Sequence, residues 1–342
     1  MKKIIIKGIF VVILCFSFCA MGSCGAKSVS ADKIKIGVMT YRKDDTFINS
    51  LCSSLNSYAK QKEKEIGRQI QITIVDSQSN QVLQDDQVSR FLSRGYSALC
   101  VNLVDRTAAA TIVNKAQRIG VPLIFFNREP VDADLRMWDK AYYVGADAAR
   151  SGTIQGEIVC DYYKANKSAV DRNGDGKIQY VMLEGEEGHQ DALLRTEYSV
   201  GYLTKSDVGV EKLADGIANW QRSQAAEKMS QWLHTYGEKI EAVFCNNDEM
   251  ALGAIDAIKD SRIKNKPVVV GVDGTQAGIE AIRSGDMLGT AYNDAKRQAE
   301  MIFDLSYALA CGKDIPKNTL KDGHYVYVPY QTITSANVGQ YI

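Results

Sequence analysis

From residue 33 onward the chain alternates short β-branched runs with stretches whose apolar residues recur at helical spacing, and this alternation restricts the fold more than any other feature. Residues 33–41 (KIKIGVMTY), 69–76, 96–104 and 121–126 read as strands, with helices at 46–64, 81–93 and 108–118 between them. The strands are nearly continuous apolar runs, so both faces of their sheet are expected to be covered, as in a parallel sheet wound with helices on either side. The pattern then repeats: strands at 142–145, 178–183, 210–214, 240–245 and 268–272, and helices at 148–164, 192–204, 223–236, 250–259 and 276–284. Two sheets with covered faces accommodate this better than one very wide sheet. The expected fold class is therefore α/β, with two doubly wound parallel-sheet domains and a boundary near residues 143–148. A last helix at 295–310 and a last strand at 325–333 remain for a return to the first domain.

The length of 342 residues suits two domains with sizeable cores. Forty-one Lys+Arg balance 41 Asp+Glu, and no basic run follows the first residues, which argues against nucleic acid as a partner. The N-terminus follows another logic. Lys2, Lys3 and Lys7 precede an apolar stretch over 9–20, and Met21-Gly22-Ser23 place small residues before Cys24. This reads as a secretory signal over 1–23, and the cysteine resembles that of a bacterial lipobox. A lipid on Cys24, followed by a linker over 24–32, would hold a monomer in the periplasm or at the outer face of the cytoplasmic membrane. Cys52, Cys100, Cys160, Cys245 and Cys311 form no C-x-x-C pair and are expected as buried free thiols.

In open parallel sheets a ligand sits beyond the carboxyl ends of the strands. Those ends carry Asp44-Asp45 and Phe47, Asn127-Arg128, His189 with Asp191 and Arg195, Asn247-Asp248, Asp273, and Asn293-Asp294. Each could serve simply as a helix cap, but six strand ends agree. Planar carboxylates, amides and guanidinium groups suit the paired hydroxyls of a sugar, and its apolar C–H faces suit aromatic rings, for which Phe47 and Trp220 are candidates. Paired carboxylates such as Asp45 and Asp273 could also act as acid and base on a glycosidic bond. Against a sugar-cleaving enzyme, G-x-S-x-G, H-E-x-x-H and the P-loop are all absent.

Residues 171–179 (DRNGDGKIQ) supply oxygen ligands at Asp171, Asn173, Asp175, the Lys177 carbonyl and Gln179, with Gly176 at the turn, in the spacing of an EF-hand calcium loop. Position 12 is Met182, so the missing carboxylate must come from elsewhere. Glu241 is the choice, because its strand could lie beside the one that begins at Ile178. The expected cofactor is a structural Ca2+.

The ordered set YRKDDTF (41–47), FFNREP (125–130), DKAYYVG (139–145), the calcium loop, GHQDA (188–192) with Arg195, NND (246–248), GVD (271–273) and NDA (293–295) resembles the periplasmic galactose/glucose-binding proteins of bacterial ABC uptake and chemotaxis, over about 33–330. The resemblance implies a three-crossing hinge, with 33–146 plus 293–328 in an N-terminal domain and 147–292 plus 329–342 in a C-terminal one. It assigns Asp45, Asn127, His189, Asp191, Arg195, Asn247, Asp273 and Asn293 to sugar hydroxyls and Phe47 and Trp220 to the stacking rings. It places calcium on Asp171, Asn173, Asp175, Lys177, Gln179 and Glu241. The implied partners are D-glucose or D-galactose, an ABC permease and a chemoreceptor. A purely sensory receptor is the alternative alongside the enzyme.

Overall fold

The computed structural model describes residues 33–313, 315–316 and 319–341; the expected signal segment and lipidation at Cys24 fall outside the described residues. The first lobe is built from β1 (Ile34–Thr40), α1 (Thr46–Ile66), β2 (Ile70–Asp76), α2 (Gln81–Ser93), β3 (Ala98–Val101), α3 (Ala109–Ile119), β4 (Leu123–Phe126), α4 (Asp132–Leu135) and β5 (Ala141–Gly145). The second follows as α5 (Ala148–Ala165), α6 (Lys167–Val170), β6 (Lys177–Glu184), α7 (Gln190–Lys205), β7 (Gly209–Ile217), α8 (Arg222–Tyr236), β8 (Ala242–Cys245), α9 (Asp248–Asp260), β9 (Val268–Asp273), α10 (Gln276–Arg283) and β10 (Gly289–Tyr292). The chain then returns to the first lobe with α11 (Ala295–Ala310), which packs on α1 and β3, and β11 (Tyr325–Tyr327), and ends with β12 (Gln331–Thr334) in the second.

The sheets run β11-β5-β4-β3-β1-β2 and β12-β10-β9-β8-β6-β7. The first is parallel throughout, and in the second only β12 runs antiparallel, against β10. Both lobes thus wind their first five strands in one order, with the direction of winding reversing between β1 and β3 and between β6 and β8. That reversal opens a crevice at the strands' carboxyl ends. The expected α/β fold with two wound sheets and three crossings is what the chain adopts.

The near-continuous apolar strands are buried on both faces. Val38, Cys100, Ile124 and Phe126 face α1 and α11, while Leu99, Val101, Leu123 and Phe125 face α2 and α3. The second lobe repeats this with Val181, Leu183 and Val243 on one face and Ile178, Met182 and Phe244 on the other. Each such side chain contributes about 1.5–3 kcal/mol on burial. Cys52, Cys100, Cys160 and Cys245 are buried free thiols, and Cys311 is half-buried.

One expectation fails locally. The single last strand over 325–333 is two strands, because Pro329 has no N–H to donate and interrupts the ladder; β11 belongs to the first sheet and β12 to the second. The interruption is the third crossing between lobes. β10 was expected only through its polar end at Asn293-Asp294 and without bounds: its sequence GTAY lacks a β-branched run, and its place comes from pairing β9 on one side and β12 on the other.

Candidate functional site

Helices that follow parallel strands begin at the crevice, so their N-cap residues border it. Asp45 caps α1, its Oδ1 accepting the Ile48 N–H (2.9 Å). His189 caps α7 and Asn247 caps α9 in the same way. Capping and ligand contact therefore do not compete here, because each cap uses one atom and leaves others facing the cavity.

The cavity between the lobes, about 350 Å³ including its mouth, is walled by Asp45, Phe47 and Asn127 from the first lobe and by His189, Asp191, Arg195, Trp220, Asn247 and Asp273 from the second. Asn293, the last expected member, stands behind Asp273, to which its Nδ2 donates at 3.5 Å, while its Oδ1 accepts from Gln298 (2.5 Å). Phe47 and Trp220 are both largely buried, on opposite lobes. Trp220 fits over β6 only because residue 185 is glycine; a Cβ there would run into the indole ring.

The hydrogen bonds within the wall show what remains for a ligand. Asn102 donates to Asn127 Oδ1 (3.0 Å), which leaves the Asn127 amide hydrogens to point elsewhere. His189 Nδ1 accepts the Asp191 N–H (3.1 Å), so the ring proton is assigned to Nε2. Burial, reinforced by Arg128, Arg195 and Arg106, holds this imidazole well below its usual pKa and hence neutral. Arg195 is fully committed on one side: Nε donates to Ser151 (3.2 Å), Nη1 to the Asn246 carbonyl (2.8 Å), and Nη2 to Asp191 (3.1 Å) and to the Tyr330 hydroxyl (3.0 Å). Of its five N–H groups, one on Nη1 remains. Asn247 spends Oδ1 on its cap and one amide hydrogen on the Trp220 carbonyl (3.3 Å).

The acceptors are three carboxylates. Asp45 Oδ2 is held by the Tyr41 hydroxyl (2.6 Å), and Asp191 and Asp273 keep lone pairs toward the cavity. Burial raises the pKa of both Asp191 and Asp273, with Arg195 pulling each back down. Burial opposes the charge of Arg195 in turn, but Tyr330, Asp191 and Asp273 outweigh it and the net shift is upward. Donors and acceptors thus alternate around one small space, the arrangement that hydroxyl groups, which both donate and accept, can satisfy.

Four of the eight non-glycine residues with positive φ among the described residues stand at or beside the cavity. Asn127 (φ 60°), Asn219 (φ 51°), Trp220 (φ 63°) and Asp273 (φ 117°) are non-glycine residues in the left-handed region. Each costs on the order of 1–3 kcal/mol and persists only where its surroundings over-determine it.

Sequence reasoning missed the groups that close the mouth. Arg128 lies 3.7 Å from the Tyr41 ring centroid, donates to the Val104 carbonyl (3.0 Å) and crosses to Glu186 of the second lobe (2.6 Å). Arg42 reaches the Asn219 carbonyl (3.3 Å), and Thr46 donates to Glu249 (3.1 Å), both across the gap. The lobes are therefore held in their closed arrangement. Nothing local in the sequence pairs residues 58 positions apart, although Arg128 follows a strand end as the site residues do.

A separate cluster lies at the start of β6. Asp171 Oδ2 accepts the Gly176 N–H (3.0 Å), and Asn173 donates to both Asp175 and Gln179 (3.2 Å each). Asp175 Oδ1 accepts the Lys177 N–H (2.8 Å), which lowers its pKa. Glu241 enters from the adjoining strand end, its two oxygens accepting the N–H groups of Arg172 (2.7 Å) and Gln179 (3.0 Å). Asp171 Oδ1 is buried with no hydrogen-bond partner among the described residues. No group of three or more His, Cys, Asp or Glu is placed to hold a metal by itself among the described residues. The loop instead adds amide and main-chain oxygens, which suit a hard cation.

Comparison with known proteins agrees with this architecture. A family model described as a periplasmic binding protein domain matches residues 36–314. The D-galactose/methyl-galactoside binding periplasmic protein of Haemophilus influenzae is 38% identical over 94% of this chain and 96% of its own length. A putative rhizopine-binding protein of Rhizobium meliloti is 30% identical over 92% and 94%. Among solved structures, an ABC transporter solute-binding protein from Bacillus halodurans with bound myo-inositol aligns with a TM-score of 0.76 and 30% identity, covering 90% of this chain and 97% of the other.

Proposed function

This chain belongs to the periplasmic binding protein family, whose members named above are binding proteins and not enzymes, and from that premise we propose that it closes on one hexose, D-glucose or D-galactose, and delivers it to an ABC transporter permease. One observation carries the reading: Phe47 from one lobe and Trp220 from the other wall the same cavity as Asp45, Asn127, His189, Asp191, Arg195, Asn247 and Asp273. Two rings suit the apolar faces of a pyranose, and the alternating donors and acceptors suit its rim. The 38% identity to a galactose-binding protein supports the choice of hexose.

The mechanism is a population shift. A ligand that touches both lobes binds the closed state better than the open one and selects it, by as much as that difference in affinity allows. Arg128, Arg42 and Thr46 add contacts that exist only on closure. No bond in the ligand is made or broken.

The reading extends to the N-terminus, where removal of residues 1–23 and a lipid on Cys24 would keep the receptor beside its permease at the outer face of the cytoplasmic membrane. Delivery to a chemoreceptor is a further role open to such a receptor. The residues of the 171–179 loop fit a structural Ca2+: Asp171, with its orphaned buried oxygen, Asn173, Asp175, the Lys177 carbonyl, Gln179 and Glu241 would hold it. The ion would supply charge neutralisation for three carboxylates and fasten the loop to β6.

Titration calorimetry against D-galactose, D-glucose, myo-inositol, D-xylose and D-ribose tests the assignment. The expected result is tightest binding of a hexose, lost by at least about 100-fold in Asp273→Ala as hydroxyls lose a charged acceptor. Preference for the cyclitol or a pentose would overturn it.

A further inference from the structure

We propose that Asp248 is the positioning residue of the second lobe: through the turn that follows β9 it sets the direction in which Asp273 presents its carboxylate to the ligand. This rests on the reading of the cavity as the ligand site and names what orders that site.

Asp248 opens α9 directly after Asn247 but does not line the cavity; its side chain is wholly buried. Its Oδ2 accepts the Thr275 N–H (2.7 Å) and lies 3.3 Å from the Thr275 hydroxyl, and its Oδ1 accepts the Thr290 hydroxyl of β10 (2.7 Å). One carboxylate therefore joins α9, the β9–α10 turn and β10. Between β9 and Thr275 stand Asp273 at φ 117° and Gly274 at φ 68°. An L-residue at 117° stays there only if the chain is held on both sides. Upstream, β9 is paired with β10 up to Asp273, whose own carbonyl accepts the Asn293 N–H (3.0 Å). Downstream, the Thr275 N–H on Asp248 anchors the turn, and the Thr275 hydroxyl then accepts the Gly278 N–H to start α10 (3.1 Å).

Two glycines leave room for this group. A Cβ at Gly271 or at Gly278 would run into the Asp248 carboxylate from opposite sides. An ionisable side chain in an otherwise apolar layer is costly unless its hydrogen bonds are needed. Here one oxygen holds Thr275 in the turn that follows Asp273 and the other holds Thr290 on the neighbouring strand β10, and neither serves the cavity directly.

Asp248→Asn keeps the shape but turns one acceptor into a donor. With the hexose that the wild type binds most tightly, calorimetry should show about 10-fold to 50-fold weaker binding. Asp248→Asn combined with Asp273→Asn should bind within about twofold of Asp273→Asn alone, because the first change acts through the second residue. Binding by Asp248→Asn within twofold of wild type, or losses that multiply in the double variant, would overturn the proposal. A sugar-free readout separates it from the ligand assignment. Amide hydrogen exchange at Thr275 should quicken at least about tenfold in Asp248→Asn, and also, less strongly, in the milder Thr290→Val should the first variant not fold. Unchanged protection at Thr275 overturns the inference whatever the wild type binds, whereas failure of every sugar in the panel overturns only the function.

Discussion

In the first lobe Asp45 and Asn127 reach the cavity from half-buried positions, each tied by one or two neighbours, whereas in the second lobe Asp191, Arg195, Asn247 and Asp273 are all at most 8% exposed, and Arg195 gathers Asp191, Ser151, Asn246 and Tyr330 into one connected set of hydrogen bonds. The two halves wind their first five strands in the same order, so topology does not account for the difference. What differs is the cost of the groups they place. A buried guanidinium with buried carboxylates is tolerable only when nearly every donor has a partner, and Ser151, Asn246, Asp191 and Tyr330 supply them around Arg195. The second lobe holds its half of the site ready; the first brings an aromatic wall and the arginines that seal the mouth.

Removing the hub tests this asymmetry most severely. Arg195→Met should cost about 3–5 kcal/mol of stability in urea denaturation, because Asp191 is left buried without its partner, and should weaken hexose binding at least about 100-fold. A variant as stable as wild type would show that the second lobe is not preorganised by this network.

Titration of the buried acids comes next. Burial pushes the Asp248 carboxyl up to about 7, against hydrogen bonds from Thr290 and Thr275 that pull it down. A carboxyl raised in the folded state gives stability that is complete below its unfolded value and is lost as pH rises through its folded one. Relative to Asp248→Asn, the wild type should therefore lose on the order of 4 kcal/mol between about pH 4 and pH 7 and nothing further above, as read from denaturation at each pH. Cys245 and Asp273 are the titratable groups whose charge couples to it. Parallel pH profiles for the two proteins would refute the coupling.

The 171–179 loop belongs to the second lobe, and the proposed Ca2+ would give that lobe a stabiliser that the first does not share. Chelator should lower the wild-type Tm by several degrees, and Asp175→Ala should abolish that response while altering hexose affinity by less than about threefold. A melting curve indifferent to chelator removes the ion from this account. The smallest effect is expected at the mouth: Glu186→Gln should weaken binding about fivefold, since the pair with Arg128 is partly exposed and forms only on closure. An unchanged affinity would mean that closure rests on the ligand alone.

How far the site could be read in advance follows the same division between near and far. The 171–179 loop is legible because its donors lie within nine residues and turn geometry brings them together whatever the rest of the chain does. Asp45, His189 and Asn247 were legible as polar strand ends, and the choice between cap and ligand dissolved once each was seen to use separate atoms. Tyr41, Asn102, Arg128 and Tyr330 were not among the expected site residues. A tyrosine or arginine near a strand end has no local signature that tells which opposite lobe or neighbouring loop it will meet.

The amino-acid sequence by itself determined two wound α/β sheets, because β-branched runs and helical spacing act through neighbours a few residues away. It determined the turns and caps for the same reason. Tertiary structure alone decided where a strand as plain as β10 pairs, that the last strand divides at Pro329 between two sheets, and that five of the six separated strand ends wall one cavity while Asn293 stands behind it. Those outcomes depend on register and on the reversal of winding in each sheet, which emerge only when distant segments pack and no short window of residues contains them.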